Sequence, residues 1–233
     1  MSLRTRLASS PLLSKRLVVI YLLLILGVTL FLFVYDGVKE SADLSSFDVP
    51  VKTWAQSHQY GPLTAAMRVV TDLLSPAAIG ALTFIGAGLW AWRKKEYWRP
   101  AVTVGAVSFA FIIASIIKTY TARARPTVTD LLGAHAGISY SFPSGHTIGV
   151  ATLLFVISYF VVMQRPTLRR ASLWFALSAA SIILVAFSRI YLGYHWITDV
   201  TASVGLAIII LALVVAVDTY VRRRRTRLLQ KRL

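Results

Sequence analysis

The chain has 233 residues, 57% of them apolar, no cysteine and a formal net charge of +16. Without cysteine there can be no disulfide, no thiol catalysis and no cysteine-ligated metal. Such a charge would suggest nucleic acid in a soluble protein, but here the basic residues cluster between apolar runs of bilayer length, which makes the lipid bilayer the partner and excludes nucleic acid.

The chain begins with a basic segment, residues 1–16, that carries Arg4, Arg6, Lys15 and Arg16. An apolar run over about 17–35 follows, close to the roughly 20 residues a helical crossing needs. A basic flank and an apolar run also open a signal peptide. This run is longer than a typical signal core and lacks a clear small-residue cleavage site, so it is read as an uncleaved first span. The connection over 36–71 is mixed, with Asp36, Glu40, Asp43 and Asp48 early and Trp54, Leu63, Met67 and Val70 later. It suits either one or two helices lying on the membrane surface or a plain connector.

Further spans are expected at about 72–92, 100–121, 147–163, 171–190 and 197–221. Lipid offers the backbone no hydrogen-bond partners, so the fold class is all-α, a single membrane domain over 1–233 whose core at 17–221 is a polytopic bundle of six transmembrane helices. Arg93, Lys94, Lys95 and Arg99 lie between the second and third spans, and Arg165, Arg169 and Arg170 between the fourth and fifth. The tail over 222–233 adds Arg222, Arg223, Arg224, Arg225, Arg227, Lys231 and Arg232. The positive-inside rule then puts both termini in the cytoplasm. The tail is read as topogenic charge, with an anionic-lipid clamp as the sharper reading.

The remaining connections face outward and carry three motifs. The first runs from Lys118, near the end of the third span, to Arg125-Pro126, and Pro126 is expected to stop that helix. The second is Pro143-Ser144-Gly145-His146, at the start of the fourth span, where Ser144 suits an N-cap and the helix N-terminus suits an anion. The third runs from Ser188-Arg189 through His195 to Asp199. The spacing of His195 and Asp199 puts both on one face of the sixth helix, where the carboxylate can accept the Nδ1 proton and leave Nε2 as nucleophile or base. Asp130 and His135, in the loop between the first two motifs, are read as solvated loop residues.

Three chemistries could use these groups. A metal could bind His146, His195 and Asp199, but three nearby cations would repel a divalent ion. Ser144, His195 and Asp199 could form a serine triad, but acyl transfer needs an oxyanion hole and not three full positive charges. Covalent phosphoryl transfer uses every group. Lys118, Arg125 and Arg189 match the oxygens of a phosphoryl group, His195 attacks phosphorus, Asp199 orients it and His146 protonates the leaving group.

With these motifs the chain resembles the type-2 phosphatidic acid phosphatase superfamily, the lipid phosphate phosphatases. The likeness lies in Lys118-(six residues)-Arg125-Pro126, in Pro143-Ser144-Gly145-His146, and in Ser188-Arg189-(five residues)-His195-(three residues)-Asp199. The resemblance implies a helical bundle like that of the acid phosphatases and vanadium haloperoxidases. It implies a phosphatase that needs no metal or other cofactor and forms a phosphohistidine at His195, with His146 as the acid. Lys118, Arg125 and Arg189 would hold phosphate, helped by the Ser144 side chain and the Gly145 amide. Bacterial members act on undecaprenyl diphosphate, phosphatidylglycerol phosphate and phosphatidate. The substrate expected is a membrane lipid phosphate, undecaprenyl diphosphate first, at the outer face of the plasma membrane. The other reading is a membrane protein that binds phospholipid headgroups, or moves lipids, without catalysis. Oligomeric state cannot be read from the sequence, although Gly145 and Gly149 have a spacing compatible with close helix contact.

Overall fold

A computed structural model of the protein describes residues 11–40, 43–126 and 140–230. The described residues form eight α-helices, one short 3-10 helix and no strand. In order these are α1 (Pro11–Glu40), the 3-10 helix (Asp43–Phe47), α2 (Asp48–Ser57), α3 (Gly61–Leu73), α4 (Pro76–Lys94), α5 (Trp98–Thr121), α6 (Gly145–Val162), α7 (Leu168–Tyr191) and α8 (Ile197–Gln230).

Five of them, α1, α5, α6, α7 and α8, contain stretches long and apolar enough to cross a bilayer. The sixth expected span is different. α3 and α4 pass that test only together, and a 48° bend separates them. The helix predicted from residue 72 runs across this break. Ser75 caps α4, its side chain accepting from the Ala78 N–H, and Pro76 opens the helix. Proline has no N–H and a fixed φ, so it starts a helix well but cannot continue one from upstream. The 36–71 connection is largely helical, containing α2 and most of α3 rather than a plain connector.

α6 and α8 are the inner helices. Ile148, Val150, Ala151, Val156 and Phe160 of α6 are buried, as are Ala202, Ala207, Ile210 and Val214 of α8. Leu22 on α1, Ile85 on α4, Ile112 on α5 and Ile183 on α7 are exposed. Helices apolar on both inner and outer faces suit lipid as the surrounding solvent. In lipid, close packing takes over from the hydrophobic effect, and small residues permit it. α1 crosses α8 where a Cβ on Gly27 would lie 2.9 Å from the Gly205 carbonyl oxygen. Gly149 meets its own bundle, since a Cβ there would lie 2.7 Å from the Phe111 ring of α5.

Candidate active site

The three motifs come together at one end of the bundle. α5 ends before Pro126 is reached. Ala122 takes a left-handed conformation (φ 47°) and closes the helix with its N–H on the Lys118 carbonyl, so the expectation that Pro126 stops the helix is corrected. Lys118 thus sits in the last turn, and Arg125 follows on non-helical chain. Lys118 Nζ donates to the Tyr140 carbonyl at 2.9 Å, and Arg125 Nη1 donates to the Tyr194 carbonyl at 2.8 Å. The tie to Tyr194 brings the first motif against the third.

Ser144 is the N-cap of α6, and its Oγ accepts the Thr147 N–H. That hydroxyl is fully buried and also accepts from the Thr147 hydroxyl at 3.1 Å. The Ser144 side chain is therefore turned into its own helix, while Gly145 and His146 line the cavity described below.

Arg189 lies in the last turn of α7 and is buried. Its Nη1 donates to the Thr71 hydroxyl at 2.7 Å, its guanidinium stacks 4.1 Å over the Tyr194 ring, and its Nε has no hydrogen-bond partner among the described residues. The Ser188 hydroxyl bonds back to the Val185 carbonyl within the helix. Gly193 at φ 71° reverses the chain, and the Arg189 carbonyl then accepts from both the Tyr194 and His195 N–H groups. Only glycine enters that conformation without strain.

His195 does not sit on a helix face, as the sequence suggested. It precedes α8 by two residues, yet its four-residue spacing to Asp199 still makes contact. His195 Nδ1 lies 3.1 Å from Asp199 Oδ2, and the same oxygen accepts the Trp196 N–H at 3.0 Å. Asp199 therefore caps α8 and holds the imidazole at once, as a third-position carboxylate in a capping box does. Burial pushes the His195 imidazole down to about 3 against the opposing pull of Asp199. The ring is neutral at physiological pH, and a neutral ring with Nδ1 turned to a carboxylate keeps its lone pair on Nε2.

A cavity of about 310 Å³ collects these groups. Lys118, Arg125, Gly145, His146, Arg189 and His195 line its polar part, and Pro76, Phe111 and Ala114 give it an apolar wall. Three cations and two imidazoles around one space suit a multiply charged anion, and the apolar wall suits an attached hydrocarbon.

Several contributors were not foreseen. Asp48 is buried and forms a 2.6 Å ion pair with Arg123, whose other terminal nitrogen lies 2.6 Å from Asp199 Oδ1. Thr71 holds Arg189, and Pro76 puts the start of α4 on the cavity. The signal that could have found Arg123 is the pair of arginines two residues apart in Arg123-Ala124-Arg125. Asp130 and His135 lie outside the described residues.

The chain is similar to known membrane phosphatases. The PAP2 superfamily model matches residues 96–223, which include all three motifs. The chain is 29% identical over 202 residues to phosphatidylglycerophosphatase B of Bacillus subtilis, covering 85% of this chain and 97% of that protein. It is 32% identical over 145 residues to a lipid A 4'-phosphatase of Porphyromonas gingivalis, covering 56% of this chain and 57% of that one. The crystal structure of a transmembrane PAP2 type phosphatidylglycerolphosphate phosphatase from Bacillus subtilis superposes with a TM-score of 0.73 at 25% identity, over 84% of this chain and 96% of that one. Aquifex aeolicus LpxE shares the fold, with a TM-score of 0.55 at 19% identity over 73% of this chain and 94% of that one. The class is that of multi-pass membrane lipid phosphatases. The chain belongs to the PAP2 superfamily.

Proposed function

We propose that this protein hydrolyses a lipid phosphate or diphosphate through a phosphohistidine at His195. The observation that carries the reading is the convergence of Lys118, Arg125, Arg189, His146 and His195 on one cavity with an apolar wall. His195 Nε2 attacks phosphorus while Asp199 keeps the Nδ1 proton in place. The phosphorus–oxygen bond to the lipid breaks, and His146 gives its proton to the departing oxygen. Water then attacks the phosphohistidine, His146 takes up a proton from it, and phosphate leaves. Lys118, Arg125 and Arg189 hold the non-bridging oxygens, with the Gly145 N–H at the α6 N-terminus beside them.

Undecaprenyl diphosphate is the first substrate proposed, because its terminal phosphate is exposed at the outer leaflet, the side on which the basic segments put the three motifs. Phosphatidylglycerol phosphate is the second, supported by the named Bacillus subtilis relative. The basic segments support cytoplasmic termini and a site on the outer face of the plasma membrane, with the chain a single membrane domain. The cysteine-free sequence makes that orientation easy to test. In intact cells Tyr60→Cys should react with an impermeant thiol reagent and Thr226→Cys should not, and the reverse pattern overturns the orientation.

The test of the activity is phosphate release by the purified protein in detergent, with EDTA present. Undecaprenyl diphosphate, phosphatidylglycerol phosphate and phosphatidate are compared side by side, with His195→Ala as control. Release that His195→Ala abolishes is the expected result. Binding of these lipids with no release from any of them would favour a headgroup binder.

A further inference from the structure

We infer that Arg123, held in place by Asp48, is a positioning residue for the nucleophile and acts through Asp199. The inference rests on the phosphatase reading above. Asp199 has two carboxylate oxygens and both are engaged. Oδ2 serves His195 and the Trp196 N–H, and Oδ1 faces Arg123 Nη1 at 2.6 Å. Asp199 is fully buried, so Oδ1 has no water to turn to if Arg123 is lost. An unsatisfied buried carboxylate oxygen is costly, and the carboxylate would protonate or rotate to relieve it. Either change removes the acceptor that fixes the His195 tautomer.

Arg123 is itself fixed on its far side. Its Nη2 donates to Asp48 Oδ2 at 2.6 Å, and Nη1 also donates to the Thr198 hydroxyl at 2.7 Å. Asp48 in turn accepts from the Thr198 N–H at 3.1 Å and from its hydroxyl. The guanidinium therefore bridges two carboxylates, an arrangement its fork suits and an ammonium does not. The order Asp48, Arg123, Asp199, His195 alternates in charge until it reaches a neutral ring at the cavity. Asp48 offsets part of the Arg123 charge, so Asp199 is held without losing its hold on His195. Asp48 opens α2, so the nucleophile's alignment depends on a helix that supplies none of the three motifs.

A plain structural staple between α2 and the bundle would show the same contacts, so the test needs readouts a staple does not move. In detergent-purified full chain, Arg123→Ala should lower kcat by roughly 10- to 100-fold, the loss common when the outer partner of a metal-bound histidine is removed, with KM held within about twofold. Arg123→Lys should recover part of this, and Asp48→Asn should lose less than Arg123→Ala. Combining Arg123→Ala with Asp199→Asn should cost no more than Asp199→Asn alone, because both act through one carboxylate. A readout independent of turnover is the ¹⁵N spectrum of the four histidines. The His195 signal, assigned by its loss in His195→Gln, should report an Nδ1–H tautomer that becomes mixed in Arg123→Ala. If the Ala variant does not fold, Arg123→Lys and Asp48→Asn decide. Unchanged kcat and an unchanged His195 signal in both would overturn the inference. Failure of the wild type to release phosphate would instead overturn the phosphatase reading.

Discussion

α8 carries two buried carboxylates, Asp199 in its first turn and Asp218 in its second half. Asp218 accepts from the Tyr159 hydroxyl at 2.8 Å and from Arg222 Nε at 2.7 Å, with Arg16 at 3.7 Å. Those partners come from α6, α8 and α1, so Asp218 ties three helices together at the basic end of the bundle. Asp199 is equally well satisfied, but one of its partners is a histidine that lines a cavity among three cations. A buried acid in an apolar helix is therefore not in itself a functional signal. A titratable partner that opens onto a cavity is what distinguishes the two.

The comparison breaks most visibly if the two acids are exchanged for amides. Asp199→Asn should lower kcat by about 10³-fold or more with little change in KM, since an amide favours the wrong imidazole tautomer. Asp218→Asn should leave kcat within about twofold and instead lower stability, by about 1–3 kcal/mol for partners left unsatisfied. Thermal unfolding and steady-state kinetics on both variants separate the cases. Equal kinetic losses would erase the distinction.

A smaller effect sharpens the same contrast through pH. His195 takes up its proton near 3 in the folded protein and at about 6.5 when unfolded. Between those values the unfolded chain binds more protons, so stability rises with pH across the window. This contribution is complete above about pH 6.5 and is lost progressively on acidification. The unfolding midpoint should fall from pH 6.5 toward 4 in the wild type and less steeply in His195→Gln. Equal slopes would mean that the ring is not held neutral.

The smallest effect concerns the apolar wall. Gly149→Ala would place a Cβ 2.7 Å from the Phe111 ring, so the ring must turn at the cavity edge. KM for a long-chain substrate should rise roughly threefold, while a short soluble phosphate ester is turned over as before. An equal effect on both substrates would mean that Phe111 does not border the hydrocarbon path.

Much of this was legible in the sequence because the signals were local. Apolar runs of bilayer length marked the spans, and Ser144 before a long apolar stretch marked the start of α6. The four-residue spacing of His195 and Asp199 marked their contact. What escaped was set by tertiary pairing. Asp48 looks no different in sequence from Asp36, Glu40 or Asp43, and its partner Arg123 is 75 residues away. The break before α4 was missed because the flanking residues are apolar enough to read as one run. The turn that ends α5 at Ala122 depends on a left-handed alanine, which no residue preference announces.

The most direct test of the account is to trap the intermediate. Protein mixed with a lipid diphosphate carrying ³²P in its terminal phosphate, then quenched with base, should retain label in a bond that is stable to base and cleaved by acid, as a phosphohistidine is. Mapping should place the label on His195. The His195→Ala variant should carry none, and Asp199→Asn should accumulate it far more slowly. Label on another residue, or turnover by His195→Ala at a rate near that of the wild type, would contradict His195 as the nucleophile.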